Sequence, residues 1–202
     1  MDQGIISLLY ILAGVNIAFA TVNLSIGLQK ESEKAYLFLG LIGVFISIYY
    51  LMFPYLDFSK DLPWKTILGF SFFLSTFALL PWFFGAFTGY KKIFFQIILS
   101  AGMAFSMVIL IWFPSFGPFA LWNVIAHTTL IGIIIYGMIA SYYQINSKGR
   151  TDGRVLFVGV LFLALLTVDD IIRMHLPQYY PFNVNQQFLP LDYFMVVFIM
   201  VM

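Results

Sequence analysis

The chain contains no cysteine, which removes disulfides, thiolate metal sites and cysteine nucleophiles from consideration. Charge is scarce. Asp, Glu, Lys and Arg make up 9% of the residues, against about 25% in a soluble domain, so water is not the main solvent of this chain. The formal net charge is +1 and the ten basic residues are scattered over several loops. That pattern indicates no polyanionic partner, and no nucleic acid is expected. The two histidines, His127 and His175, cannot supply a three-histidine zinc site. No lysine lies in the interior of a long apolar run, so a retinal Schiff base has no attachment point. A GxSxG nucleophile turn and a phosphate-cradling glycine motif are both lacking. No catalytic residue, metal or cofactor is expected within these residues.

What the chain has instead is apolar length: 62% of its residues are hydrophobic. Seven runs are long enough, or nearly so, to cross a bilayer, for which a helix needs about 20 apolar residues. They cover residues 5–28, 35–56, 63–87, 93–113, 119–143, 155–174 and 188–202. These are helices rather than barrel strands, because a barrel strand is about ten residues of alternating polarity and these runs are apolar all round. The expected fold is all-α: one polytopic seven-transmembrane helix bundle over residues 1–202. Pro63 suits a first helical turn, where its missing N–H costs little. Pro81 lies inside the third run and should kink it by freeing the carbonyl of Phe77. The first run follows Met1-Asp2-Gln3 without a basic n-region, so it reads as a span that stays rather than a signal peptide.

Loop charges give a direction. The loops after runs 1, 3 and 5 carry Lys30, Lys34, Lys91, Lys92, Lys148, Arg150 and Arg154, whereas the opposite side carries Lys60, Lys65 and Arg173. Seven basic residues against three make the first side cytoplasmic. The N-terminus is then outside and the C-terminus cytoplasmic. Trp64, Trp112 and Trp122 are expected at the outer interface and Trp82 near the inner one, as an aromatic belt. The seventh run, 15 residues as a helix, covers about 22 Å of a hydrocarbon core about 30 Å thick. A cytoplasmic continuation beyond Met202 is therefore expected.

An ionisable residue inside a membrane is costly and marks a candidate site. Run 6 carries Asp169, Asp170 and Arg173. Asp169 and Arg173 stand i,i+4 with the acid first, the favourable order for a helical ion pair. That pair is either part of a pocket or a structural pair snorkelling to the outer interface. Asp170 points about 100° away from Asp169 and faces a different neighbour. Run 5 carries Asn123 and His127, again i,i+4. Such a histidine serves either as a helix-to-helix hydrogen bond or as a ligand contact. Asp192 lies near the start of run 7 and either joins this site or sits at the interface. Asn16 and Asn23, in run 1, read as helix-joining amides. Asn123, His127, Asp169, Asp170, Arg173 and Asp192 share one depth, the outer half of runs 5 to 7, whose inner halves read as almost purely apolar. With Trp122, Tyr179 and Tyr180 as aromatic walls, they predict an outward-facing ligand pocket capped by the loop from His175 to Gln187.

The stretch Leu161–His175, LFLALLTVDDIIRMH, is followed by a polar loop and then by Phe188-Leu189-Pro190-Leu191-Asp192-Tyr193-Phe194. It resembles the end of the bacterial seven-transmembrane receptors with diverse intracellular signalling modules. In that family an Asn-Asp pair late in span 6 precedes a Leu-Pro-(small)-Gly-Phe type start to span 7. Here Asp170 matches the family aspartate, Asp169 replaces the asparagine, and Leu191-Asp192 stands where glycine is usual. The similarity covers about 40 residues; the first 150 match only in hydropathy. The large extracellular domain that many members carry before span 1 is missing, as it also is in histidine-kinase seven-helix regions.

The resemblance implies a sensor in the bacterial cell (inner) membrane whose seventh helix feeds a cytoplasmic kinase, cyclase or phosphatase. It also implies a homodimer, and Gly40, Gly43, Gly102, Gly132 and Gly137 permit close helix contacts. The partners expected are the lipid bilayer and a small-molecule or lipid ligand. A ligand in the outer pocket would favour one packing of runs 5 to 7. A small-molecule or ion transporter or channel is the alternative; it predicts polar residues through the whole depth and often paired repeats. An intramembrane lipid-modifying enzyme is disfavoured by the residue inventory.

Overall fold

The computed structural model describes residues 3–29, 33–57, 62–117, 119–148 and 152–175. Six helices account for most of them: α1 (Gln3–Gln29), α2 (Lys34–Met52), α3 (Trp64–Thr88), α4 (Ile93–Trp112), α5 (Leu121–Lys148) and α6 (Asp152–His175). A single 3-10 turn, Phe53–Tyr55, extends α2. All six helices are long and apolar enough to cross a membrane, and no strand occurs among the described residues. The protein is an all-helical, multi-pass membrane protein. The expected seventh span, residues 188–202, lies outside the described residues.

Lipid explains the helices. A backbone polar group in hydrocarbon must be paired internally, and a helix does this within one segment. The hydroxyl side chains follow the same logic. Thr21 donates to the Ile17 carbonyl, Ser47 to Gly43, Ser71 to Ile67, Thr88 to Phe84, Ser141 to Gly137 and Thr167 to Leu163. Each returns its proton to the turn four residues earlier. Large apolar side chains remain on the outside of the bundle: Phe94 is 72% exposed, and Ile11, Ile98, Phe105, Leu121, Ile135 and Leu165 also face outward. In water such a surface would aggregate; against acyl chains it is the matching solvent.

Consecutive helices pack on one another in order, with α3 also touching α5. The α1–α2 pair is the tightest case. Leu9, Ala13, Asn16, Ala20, Asn23 and Gly27, alternately four and three residues apart, form the buried stripe of α1. They meet a stripe on α2 that includes Gly40, Gly43 and Ser47. Small residues let the two backbones approach, so closely that a methyl at Gly27 would overlap the Leu37 backbone. Gly102 against Thr129, Gly132 against Leu99 and Gly137 against Phe84 do the same for the α4–α5 and α3–α5 contacts. These glycines are used inside the bundle.

The connections sort into two ends. The Leu62 amide donates to the Pro114 carbonyl at 3.0 Å, joining the α2–α3 and α4–α5 connections. Tyr10 and Tyr55 hydroxyls, 3.2 Å apart, bring the start of α1 to that end. At the other end Gly89, at φ 76°, closes α3 in a left-handed conformation that glycine adopts freely. The Tyr90 ring there packs on Tyr143 of α5, with centroids 5.2 Å apart. Lys34, Lys91, Lys92 and Arg154 sit at this second, basic end.

Two boundaries differ from the hydropathy reading. α5 runs on to Lys148 and α6 begins at Asp152, so most of the polar stretch 146–154 is helical. Polarity marks exit from lipid, which precedes the end of a helix. Pro81 lies within α3, which continues to Thr88.

Candidate functional site

The site expected from the sequence is built on the first turns of α5 and the last turns of α6. Ala120 starts α5 by accepting the amides of Asn123 and Val124. Trp122 then anchors it. Its ring is buried at 5.2 Å from that of Phe70 on α3, its indole N–H donates to the Ser115 carbonyl at 2.7 Å, and its own carbonyl accepts the Ser106 hydroxyl of α4. Aromatic body and polar handle are both engaged. Trp122 was expected at the lipid interface, yet it is 4% exposed; it lies on the bundle side of α5, whereas Trp64 and Trp112 at the same end are exposed. Apparent depth placed all three alike, but the helix face separates them.

Asn123 is buried, and its side-chain amide approaches the Gly117 carbonyl at 3.5 Å. One turn later His127 Nδ1 lies 2.9 Å from the Asn123 carbonyl oxygen. A carbonyl can only accept, so this nitrogen carries the proton, and the geometry assigns the tautomer. Nε2 then faces α6, where it lies 3.9 Å from Asp170 Oδ2. With Nδ1–H committed to the backbone, a neutral ring offers a lone pair at Nε2 to a carboxylate, and two acceptors face each other. The pair attracts when one proton is held on Nε2 or on the carboxyl. At 3.9 Å it is a contact between facing groups rather than a direct hydrogen bond. The side chains keep 13% and 29% exposure, so the pair is half-enclosed rather than sealed.

Of the other candidates, Asp169 is half-buried and one helical step round from Asp170. Arg173 lies in the last turn of α6, and its side chain is outside the described residues, as are Tyr179, Tyr180, Asp192 and the loop expected to cap the pocket. The structure therefore brings His127 and Asp170 together, with the Asn123 carbonyl one turn before holding the imidazole, while Trp122 packs against Phe70 of α3. Among the described residues no three of His, Asp and Glu gather as metal ligands.

A second polar constellation was not anticipated. Gln96 of α4 is 3% exposed, and its amide donates to the Pro81 carbonyl at 3.3 Å and to Tyr136 Oη at 3.0 Å. Tyr136 in turn donates to the Tyr90 carbonyl at 2.7 Å. Beside it, Trp82 donates to Ser100, which donates to the Ala78 carbonyl at 2.7 Å. Further along, Ser141 and Gln144 of α5 are buried near the basic end. The inner half of α5 is thus not purely apolar, contrary to expectation. Ser141 already lay within the run, and α5, extending beyond residue 143, adds Gln144 between helices. A lone amide inside an apolar run was the available signal for Gln96, the same signal that singled out Asn123.

Comparison with protein-family models, with curated proteins and with solved structures finds no match for this chain.

Proposed function

We propose that this chain is the transmembrane sensor of a bacterial signalling protein. It would lie in the cytoplasmic membrane as seven helices with its N-terminus outside, and detect a small or lipophilic ligand at the α5–α6 end. The observation that carries the reading is the His127–Asp170 contact across two helices. An imidazole and a carboxylate facing each other from two spans are expensive in lipid unless they have a purpose, and this contact is half-open at the end opposite the basic loops. The charge asymmetry of the loops supports the orientation. The resemblance of residues 161–194 to seven-transmembrane receptors supports the output, a kinase, cyclase or phosphatase. In the mechanism, a ligand that inserts between the imidazole and the carboxylate favours one packing of α5 against α6, and the change passes along the helices to the basic end.

A transport function is the second reading. It is favoured by the burial of Gln96, Tyr136 and Gln144 toward the basic end, which together with Asn123 and His127 spreads polar groups over much of the depth.

The test screens small carboxylates, amines and lipids for thermal stabilisation of the purified protein. A ligand at 100 times its Kd stabilises by about 2.7 kcal/mol. A sensor ligand stabilises the wild type, loses most of that effect in His127→Ala and Asp170→Asn, and shows no flux in proteoliposomes. Stabilisation untouched by both substitutions refutes the site. Net flux of the ligand favours transport over sensing.

A further inference from the structure

The end of the bundle opposite His127 and Asp170 contains a cavity of about 310 Å³, at the lower limit of the range for small-molecule sites, about 300–1,000 Å³. It lies where the starts of α2 and α6 meet the end of α3. Its walls include Tyr36, Phe83, Phe84 and Phe87, with Val155 of α6 opposite them. Among the described residues, Asp152 is the single charged one lining it. The cleft follows from the packing: among the described helices α6 packs closely only on α5, so its other flank stands away from α2 and α3.

We infer that this cleft binds a lipophilic organic cation, an ammonium or phosphonium centre on an apolar body. The carboxylate of Asp152 at the cavity wall matches the positive centre. The rings of Tyr36, Phe83, Phe84 and Phe87 supply both apolar area and the negative faces that attract cations. An anion of the same shape gains the same apolar burial and meets the wrong charge. Lys34 and Arg154 are near in sequence but do not line the cavity; they set the sign of the surrounding surface, whereas Asp152 sets that of the cavity. The inference is independent of the proposed sensor site, which lies at the far end of α6. The positive centre could belong to a free amphiphilic amine or to the headgroup of an ethanolamine lipid, since both present an ammonium on an apolar body.

The probe is tetraphenylphosphonium, and the control is tetraphenylborate, its anionic counterpart in shape. Binding is measured by calorimetry on the intact protein in non-ionic detergent. The wild type is expected to prefer the phosphonium. Asp152→Asn should weaken phosphonium binding about fivefold or more while leaving the borate unchanged or tighter. Val155→Trp, which fills the cavity from a lipid-exposed position, should abolish both. Both substitutions lie at exposed sites, and an unchanged circular dichroism spectrum verifies the fold. Added phosphatidylethanolamine that competes with the probe assigns the site to a lipid headgroup; lack of competition assigns it to a free amine. Equal affinity for the two ions, or phosphonium binding unaltered in both variants, overturns the inference.

Discussion

Gly85→Ala is the most informative single substitution in this bundle. A methyl at Gly85 would overlap the amide nitrogen of Gln96 and would lie 3.3 Å from Tyr136 Oη. The amide would have to swing away from its two acceptors, Pro81 O and Tyr136 Oη. Side-chain hydrogen bonds within membranes average about 0.6 kcal/mol and reach about 1.7, and a buried polar group left unpaired costs about 1–3 kcal/mol. The gross loss is about 2–4 kcal/mol. Replacing glycine by alanine in a helix returns about 1 kcal/mol, so the net destabilisation is about 1–3 kcal/mol. Gln96→Ala alone should cost a similar amount. The double variant is the decisive one: with the Gln96 amide gone, the methyl added at Gly85 enters vacated space and should be neutral or stabilising. The cycle therefore predicts a coupling of about 1–4 kcal/mol, read from equilibrium unfolding in mixed micelles. Contacting residues couple by about 0.5–3 kcal/mol, whereas independent sites add within about 0.5. A coupling indistinguishable from zero would show that Gly85 and Gln96 do not share space, and would refute the packing argument for α3 and α4.

Two further substitutions test the same reasoning elsewhere. Gly27→Ala places a methyl against the Leu37 backbone, which cannot rotate away, so overpacking should cost about 1–3 kcal/mol; Gly14→Ala, on the same helix with nothing within 4 Å of the added atom, should be neutral or slightly stabilising, and equal effects at the two positions would contradict the α1–α2 contact. Thr66 is fully buried, accepts the Asp57 amide at 2.9 Å and donates to the Asp57 carbonyl at 3.1 Å, so Thr66→Val should cost about 1–2 kcal/mol and speed hydrogen exchange at the Asp57 amide, while unchanged exchange would remove Thr66 as the lock of the α2–α3 connection.

The six described spans were legible because lipid imposes a one-dimensional rule. Each span must be about 20 apolar residues long, and that can be counted along a sequence. The face of a helix cannot be counted when the helix is apolar all round. Trp122 illustrates the loss: its depth was readable, but only packing against Phe70 shows that it points inward. His127 and Asp170 were found through their cost in lipid, and their mutual contact was not readable, because it depends on the rotation of α5 against α6. Gln96 carries the same polar signal as Asn123, but its role is not readable along the chain, since its partners Pro81 and Tyr136 lie 15 and 40 residues away. The cleft beside Asp152 had no signal at all. It arises from which helices fail to meet, and hydropathy contains no record of neighbours.

That packing gives α6 a particular mechanical position. Among the described helices its close contact is with α5, while Leu156 and Val160 line the cleft toward α2 and α3. A helix of 24 residues is about 36 Å long. If it tilts about its middle by roughly 5°, each end moves by about 1.6 Å over its half-length of about 18 Å. At Asp170, about 10 Å from the middle of α6, the shift is about 0.9 Å, enough to lengthen or shorten the 3.9 Å contact with His127. At the opposite end it would widen or narrow the cleft lined by Asp152 and Val155. Core-packed helices resist such a motion because several neighbours would have to repack together. α3, held by α2, α4 and α5, is in that position and α6 is not. The two sites inferred independently, one from a histidine–carboxylate contact and one from a cavity, therefore sit toward the two ends of one helix whose close contact, among the described helices, is with α5, and a single rigid tilt would connect them without rearranging the rest of the bundle.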